Sequence, residues 1–564
     1  MNLRKGGSVI RLALSSTALL LVLTIQGYSA RHERLIDAWR PTNFNVTLKL
    51  DERLGEITKA RTEITIQSLK AGLNLVDLDF GEMTVDGVWA DGKIAQFDRD
   101  QGLLNVHLQN ATDKGRRFVI AIEYHGKPKD GLILTADKDG RPSATGDNWP
   151  NRVHHWIPCL DHPSAKATVT FVVTAPAKDL VVANGKLDQV KDDSPGTRTW
   201  TYSEGVPIPA YCMVIAVGEY AKSGPATPAI TPLTYYVPRS DANVVVQGFA
   251  AAGPSLKFFS ETIAPYPYEK LALIVGATRF GGMENSSAIV FAGNLLGPRN
   301  GPLRISRAFN INESLEDVVA HEIAHQWFGD SVTESTWSDL WLSEGFATYF
   351  AGLVIQKYDG EDPFRAYMKR AAESYFEYEK KTRTPIHDTE TEELFKLLNE
   401  NNYQKGAWVL HMLRTQLGDD AFFRGLRIYY NAHKDSTADT ADLRAAFEKA
   451  SGKDLKEFFA RWVYGSGHPQ YEMAWGSAEF AGAGSRLLLT LKQTQTDQPF
   501  LDPVPIEVTS GGVKQRYVIW PTGKITEAHF QLKDPPTAVK VDPDETLLKE
   551  VVIQFPSQVR RSGS

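Results

Sequence analysis

Residues 314–349 read SLEDVVAHEIAHQWFGDSVTESTWSDLWLSEGFATY, and the rest of the chain is organised around how this stretch must lie. His321 and His325 are four apart, so on an α-helix they stand one above the other on one face, as two ligands of one ion must. Glu322 sits between them, placed to handle the proton of a water at the ion without ligating it. A third ligand is needed, and Glu344 is the candidate, because the eighteen residues between it and His325 allow a tight turn and a returning helix. Ser314 with Asp317 resembles a capping box, Leu315, Val318, Val319, Ile323 and Trp327 supply an apolar stripe, and Gly329-Asp330 closes the run. That pattern predicts a helix over about 315–328. Ser338 reads as the N-cap of a second helix, whose Trp341, Phe346, Tyr349 and Phe350 face a core and leave Glu344 among them. A carboxylate in such apolar company needs a partner.

The 564 residues, 42% hydrophobic and 23% charged, are ordinary for a chain of several globular domains. A net charge of -6, with no basic run longer than the Arg116-Arg117 and Arg560-Arg561 pairs, argues against nucleic acid as a partner. Arg4, Lys5 and Arg11 precede the apolar stretch Leu12–Ile25, with small residues at Ser29 and Ala30, so residues 1–30 read as a signal peptide and the product as exported, periplasmic or secreted. Tyr28 fits the small-residue rule poorly, which leaves an uncleaved, membrane-tethering anchor as the alternative; beyond it no apolar segment is long enough to span a bilayer. Cys159 and Cys212 are too few for a disulfide framework and read as two buried thiols, a single bridge being the alternative.

Period-two alternation runs through FNVTLKLD, EITKARTEITIQSL, RFVIAIEYHG and ATVTFVVTAP, which predicts an all-β region over 31–222 with turns at Asp91-Gly92, Asp139-Gly140 and Asn184-Gly185. GPATPAITP, just past 223, reads as a linker. A mostly helical region is expected over 223–465, opening with a helix from about Asn243 to Ile263 and the buried strand LALIVGA. Gly281, Gly282, Met283, Glu284 and Asn285 come next: glycines let a substrate backbone approach and pair along a strand edge, and Glu284 offers a fixed charge to an ammonium group. Alternation returns over 466–555, a small β-sandwich, and 556–564 reads as a tail.

HEIAHQWFGD with the later glutamate of WLSEGFATYF resembles the zinc site of the gluzincin aminopeptidases, relatives of aminopeptidase N and leukotriene hydrolase. GGMEN is similar to that family's exopeptidase motif, WIPCLDHP to a landmark of its N-terminal β-domain, and Tyr403 of YQKG to the tyrosine that steadies the oxyanion. The resemblance implies an α+β multidomain chain: a saddle-like N-terminal β-sandwich, a thermolysin-like, mostly helical catalytic domain and a small C-terminal β-sandwich, without the family's large C-terminal helical domain. It also implies one Zn2+ per chain on His321, His325 and Glu344, Glu322 as general base, Glu284 as the amine anchor, and peptides with a free N-terminus as substrates. The chain departs from the pattern where the family has an amine-holding glutamine and an acidic residue: here GDNWPNR offers Asp147, which could bind an ammonium or simply serve a turn. Two other readings stay open, a zinc endopeptidase or epoxide-type hydrolase of the same family, and a metal-free binding scaffold.

Overall fold

The structure, a computed structural model, describes residues 31–34, 36–296, 315–480 and 484–554; the leader over 1–30, Ser314 of the expected capping box and the tail over 556–564 lie outside them. In Trp39–Leu50, Phe44, Val46, Leu48 and Leu50 alternate into the interior. That strand pairs antiparallel with Ile57–Ser68 and parallel with Ala167–Pro176, Asn43 standing opposite Thr168. These strands form the middle of an eight-stranded sheet, and two smaller sheets complete a β-rich region with its own core around Phe44, Ile64, Trp156 and Phe171. Asp91 and Gly92 both take positive φ in the two-residue turn between Thr84–Ala90 and Lys93–Ile94, as a right-handed strand twist requires. Asn184-Gly185 instead carries the chain from a four-stranded sheet into the eight-stranded one. Cys159 and Cys212 are buried free thiols.

The next sheet positions the site. Its strands are β1 (Tyr220–Ser223), β2 (Leu233–Pro238), β3 (Leu271–Gly276), β4 (Gly282–Met283) and β5 (Ala288–Ala292), in the order β1-β2-β3-β5-β4. The stretch read as a linker joins β1 to β2, antiparallel neighbours of one sheet. β3 and β5 are apolar throughout and buried, as parallel central strands are, while β4 is left on the edge. The helix expected from Asn243 to Ile263 is two pieces, a single turn at Val245–Gly248 and α1 (Ala252–Thr262).

α2 (Leu315–His325) is shorter than the expected 315–328. After His325 the backbone tightens to three-residue bonds, Gln326 N to Ile323 O and Trp327 N to Ala324 O, and then turns away at Gly329. α3 (Trp341–Tyr358) follows, and Ser338 does not cap it: Ser338 lies in a separate short turn, Trp337–Asp339, and its hydroxyl accepts a hydrogen bond from the Arg31 guanidinium at 2.7 Å. α4 (Glu361–Glu379) and α5 (Gly406–Leu417) pack around α3, and further helices lead to a C-terminal pair of sheets that share the same apolar core. A third apolar layer, including Trp149, Tyr211 and Val214 from the β-rich region and Ile274, Met283 and Trp337 from the other side, joins the two regions beside the edge strand β4.

Candidate functional site

α2 presents His321 and His325 toward Glu344, in the first turn of α3. The facing nitrogens stand 3.0 Å apart, and Glu344 Oε2 lies 3.3 Å from His321 Nε2 and 3.4 Å from His325 Nε2. Among the described residues these three are the cluster able to hold a metal ion. Glu344 Oε2 is buried and meets no aligned hydrogen-bond donor among the described residues. Burial opposes its charge, yet the neighbouring imidazoles win and hold Glu344 down to about 2. Burial likewise lowers His321, while at His325 the charge of Glu344 overrides burial and pushes the imidazole up to about 10. Ligand atoms about 2.0–2.1 Å from a tetrahedral zinc stand roughly 3.3 Å from one another, so the trio fits that ion. His325 Nδ1 is engaged behind, by Phe328 O at 3.2 Å and Ser343 Oγ at 3.0 Å, which leaves Nε2 for the ion.

Glu322 points from α2 onto the edge strand. A methyl group at Gly282 would stand 2.5 Å from Glu322 Cγ and closer still to its carboxylate, so only glycine lets the strand and the acid share this place. Tyr403 belongs to a π-helical turn, Asn401–Lys405, that leads into α5, and its ring stacks on His321 with centroids 5.8 Å apart and planes 3° apart. Burial, reinforced by Glu344, pushes the phenol well above its ordinary value, so it remains a donor. Tyr403 is brought against His321 where α3 and α5 touch through bare backbone: a methyl on Gly345 would lie 2.9 Å from the Gly406 Cα. Glu284 follows β4, is 6% exposed, and is raised to about 7 by burial, with Glu344 adding and His325 opposing. The five expected residues Glu284, His321, Glu322, His325 and Glu344, with Tyr403, thus gather at the end of one edge strand.

Residues 40–212 match the model of the peptidase M1 N-terminal domain, and residues 249–462 that of the peptidase family M1 domain. The chain belongs to peptidase family M1. Its M1 relatives include a probable aminopeptidase 2 of Sulfurisphaera tokodaii, 30% identical over 410 residues, which are 70% of this chain and 50% of the relative. The tricorn protease-interacting factor F2 of Thermoplasma acidophilum is 26% identical over 479 residues, 80% of this chain and 56% of that protein. Aminopeptidase 2 of Candida albicans is 26% identical over 472 residues, 79% of this chain and 50% of that protein. The chain spans about half the length of the curated relatives it matches.

Asp147, read from the sequence as an ammonium contact or a turn residue, is held in an ion-pair network of this M1 chain. Asp147 is fully buried, its Oδ2 paired with Arg152 at 2.9 Å and its Oδ1 accepting from Thr278 Oγ1 at 2.9 Å. Arg152 also grips Asp130 at 2.8 Å, and Asp130 in turn takes Arg279 through both oxygens at 2.8 Å. Asp147 therefore ties the β-rich region to the segment that leads into GGMEN, with one partner on each of its oxygens. Gln326, next to His325 in the sequence, was not singled out by its spacing. Its side chain donates to Glu284 O at 2.7 Å and to Asp330 Oδ2 at 2.9 Å and accepts from Ser287 N at 2.8 Å, locking the GGMEN segment to the end of α2. Glu334, on the strand Val332–Glu334, is also buried, and among the described residues neither carboxylate oxygen has a partner. Burial pushes it well above the usual carboxylate range.

Proposed function

We propose that this chain is a zinc-dependent aminopeptidase that removes N-terminal residues from peptides. The observation that carries the reading is the buried Glu284 at the end of an edge strand that runs past Glu322 and the His321, His325 and Glu344 trio. His321, His325 and Glu344 would hold one Zn2+, which supplies a Lewis acid for the scissile carbonyl and acidifies a water. Glu322 takes the proton of the attacking water and passes it to the leaving amine. Tyr403 donates its hydroxyl to the carbonyl oxygen as negative charge builds there. Glu284 receives the substrate's α-ammonium, which restores its ionised form and fixes the cut one residue from the chain's start. The free edge of β4 offers main-chain groups to an extended peptide. The basic residues and apolar stretch at 4–25 support export to the periplasm or beyond.

The test is hydrolysis of aminoacyl arylamides against their N-acetylated analogues. Free substrates are expected to react and blocked ones not, with activity abolished by a chelator, restored by Zn2+ and lowered about 10²- to 10⁴-fold in Glu322→Gln. Equal cleavage of blocked and free substrates removes the exopeptidase assignment. A purified active chain without bound zinc removes the metal.

A further inference from the structure

Glu284 sits in the turn between β4 and β5, and β4 is too short to hold it there. That strand has two residues and meets β5 at Gly282 opposite Phe291 and Met283 opposite Val290. Two ladder positions at a sheet edge leave the turn beyond them under-determined. Ser287, which closes the turn, takes a φ of 62°. A serine in the left-handed region is strained, and such a backbone persists where its surroundings fix it.

The fixing groups come from two sides. Just past the end of α2, Gln326 holds Glu284 O and Ser287 N. Lys270, immediately before β3, donates to Ser287 O at 2.6 Å and to Ala183 O of the β-rich region at 2.8 Å. The other side is the β-rich region, through Asn184-Gly185, the pair whose sequence reads as a turn. Asn184 is fully buried. Its amide donates to Ser286 O at 2.6 Å and to Cys212 O at 2.8 Å, and its carbonyl accepts from Val214 N at 2.6 Å. Gly185 N donates to Ser287 Oγ at 2.7 Å, and that hydroxyl donates in turn to Glu204 Oε2 at 3.0 Å. Glu204 is buried in the strand Thr197–Ile208, and its other oxygen accepts from Val206 N at 3.1 Å. Asn184-Gly185 and Glu204 are brought together by close backbone approach, since a methyl on Gly185 would stand 2.0 Å from Ser203 O. Burial, with Glu269 adding, raises the Glu204 carboxyl.

Resting on the aminopeptidase reading, we infer that Asn184 and Glu204 of the β-rich region are positioning residues for amine recognition: through Ser286 and Ser287 they set where Glu284 meets the substrate's α-ammonium. Neither touches substrate. The metal ligands, Glu322, Tyr403 and Glu284 all lie on the other region, and the β-rich region acts on them through the main chain of one turn.

The experiment compares two competitive inhibitors of the zinc-loaded enzyme, leucine hydroxamate and 4-methylpentanohydroxamate, which differ by the α-amino group. The ratio of their Ki values reads the ammonium contact, and wild type is expected to prefer the amino compound by about 10- to 100-fold, the range of a hydrogen bond between charged groups. In Asn184→Ala and Glu204→Ala that preference should fall by about 5- to 10-fold, while Ki for the des-amino compound stays within about 2-fold of wild type. Glu204→Gln can still accept from Ser287 and should keep the preference within about 2-fold. Ser287→Gly suits the left-handed backbone and deletes the hydroxyl that reaches Glu204, so it should fold and show the loss even where the alanine variants do not fold. Lys138→Met breaks an ion pair to the buried Asp241 between the same two regions, away from the turn, and should leave the preference intact. An unchanged preference in Ser287→Gly, equal losses for both inhibitors, or the same loss in Lys138→Met overturns the positioning role. A wild-type enzyme that binds the two inhibitors equally overturns the aminopeptidase reading beneath it.

Discussion

Gly282→Ala isolates the contact between the edge strand and Glu322, the proposed general base. The added carbon would meet Glu322 Cγ at 2.5 Å and its carboxylate closer still, where ordinary contacts begin at 3.4 Å. Either the strand or the acid must yield about 1 Å. The end of a glutamate rotates cheaply, whereas β4 is pinned to β5 by its ladder, so the acid moves. Misplacing a catalytic group by about 1 Å costs on the order of 10²-fold in rate, close to 2.7 kcal/mol of transition-state stabilisation. The fold should barely notice: the melting temperature and the bound zinc stay at wild-type values. The assay is kcat/KM on a free aminoacyl arylamide for wild type, Gly282→Ala, Glu322→Gln and the double variant. Groups acting through one another are non-additive, so Gly282→Ala added to Glu322→Gln should cost less than about 3-fold more. Full additivity refutes the reasoning, because the methyl group would then be obstructing the substrate and not the base.

Asp147→Asn should lower stability by about 1–3 kcal/mol in chemical denaturation, through loss of the buried pair with Arg152, while the preference for free over N-acetylated substrate stays intact. Glu284→Gln should do the reverse, leaving stability near wild type and collapsing that preference. Glu334→Met tests the buried unpaired acid. Its folded pKa lies above the ordinary 4.5, so the folded chain holds the proton more tightly than the unfolded one, and stability present below pH 4.5 drains as the pH rises. The methionine variant should gain about 1–3 kcal/mol over wild type at pH 8 and less near pH 5, read from denaturation at both pH values.

How much of this was legible in the sequence depends on the kind of physics involved. The His321, Glu322, His325 face follows from helical geometry alone, and the alternating strands from a period of two, because both are local. Glu344 could be proposed from the length of chain a turn and a return require. The bounds of the helices were not legible to the residue. α2 stops at His325 because its carbonyls tighten into a turn, and Ser338, with the right chemistry for a cap, is engaged by Arg31 from 307 residues away. Asp147 shows the same limit. A carboxylate in a turn carries no local sign that an arginine five residues on and a threonine in another region will claim both its oxygens. Gln326 was hidden for a similar reason, since its work is to bond the backbone of a segment some forty residues upstream.

The contact between Gly345 and Gly406 has a bearing on how such a chain could be re-engineered. No side chain stands between the two helices there, so the spacing from Glu344 to Tyr403 is set by main chain against main chain. A directed-evolution campaign on such a chain should therefore find its dead variants at these two glycines, where any side chain would have to push one helix backbone off the other.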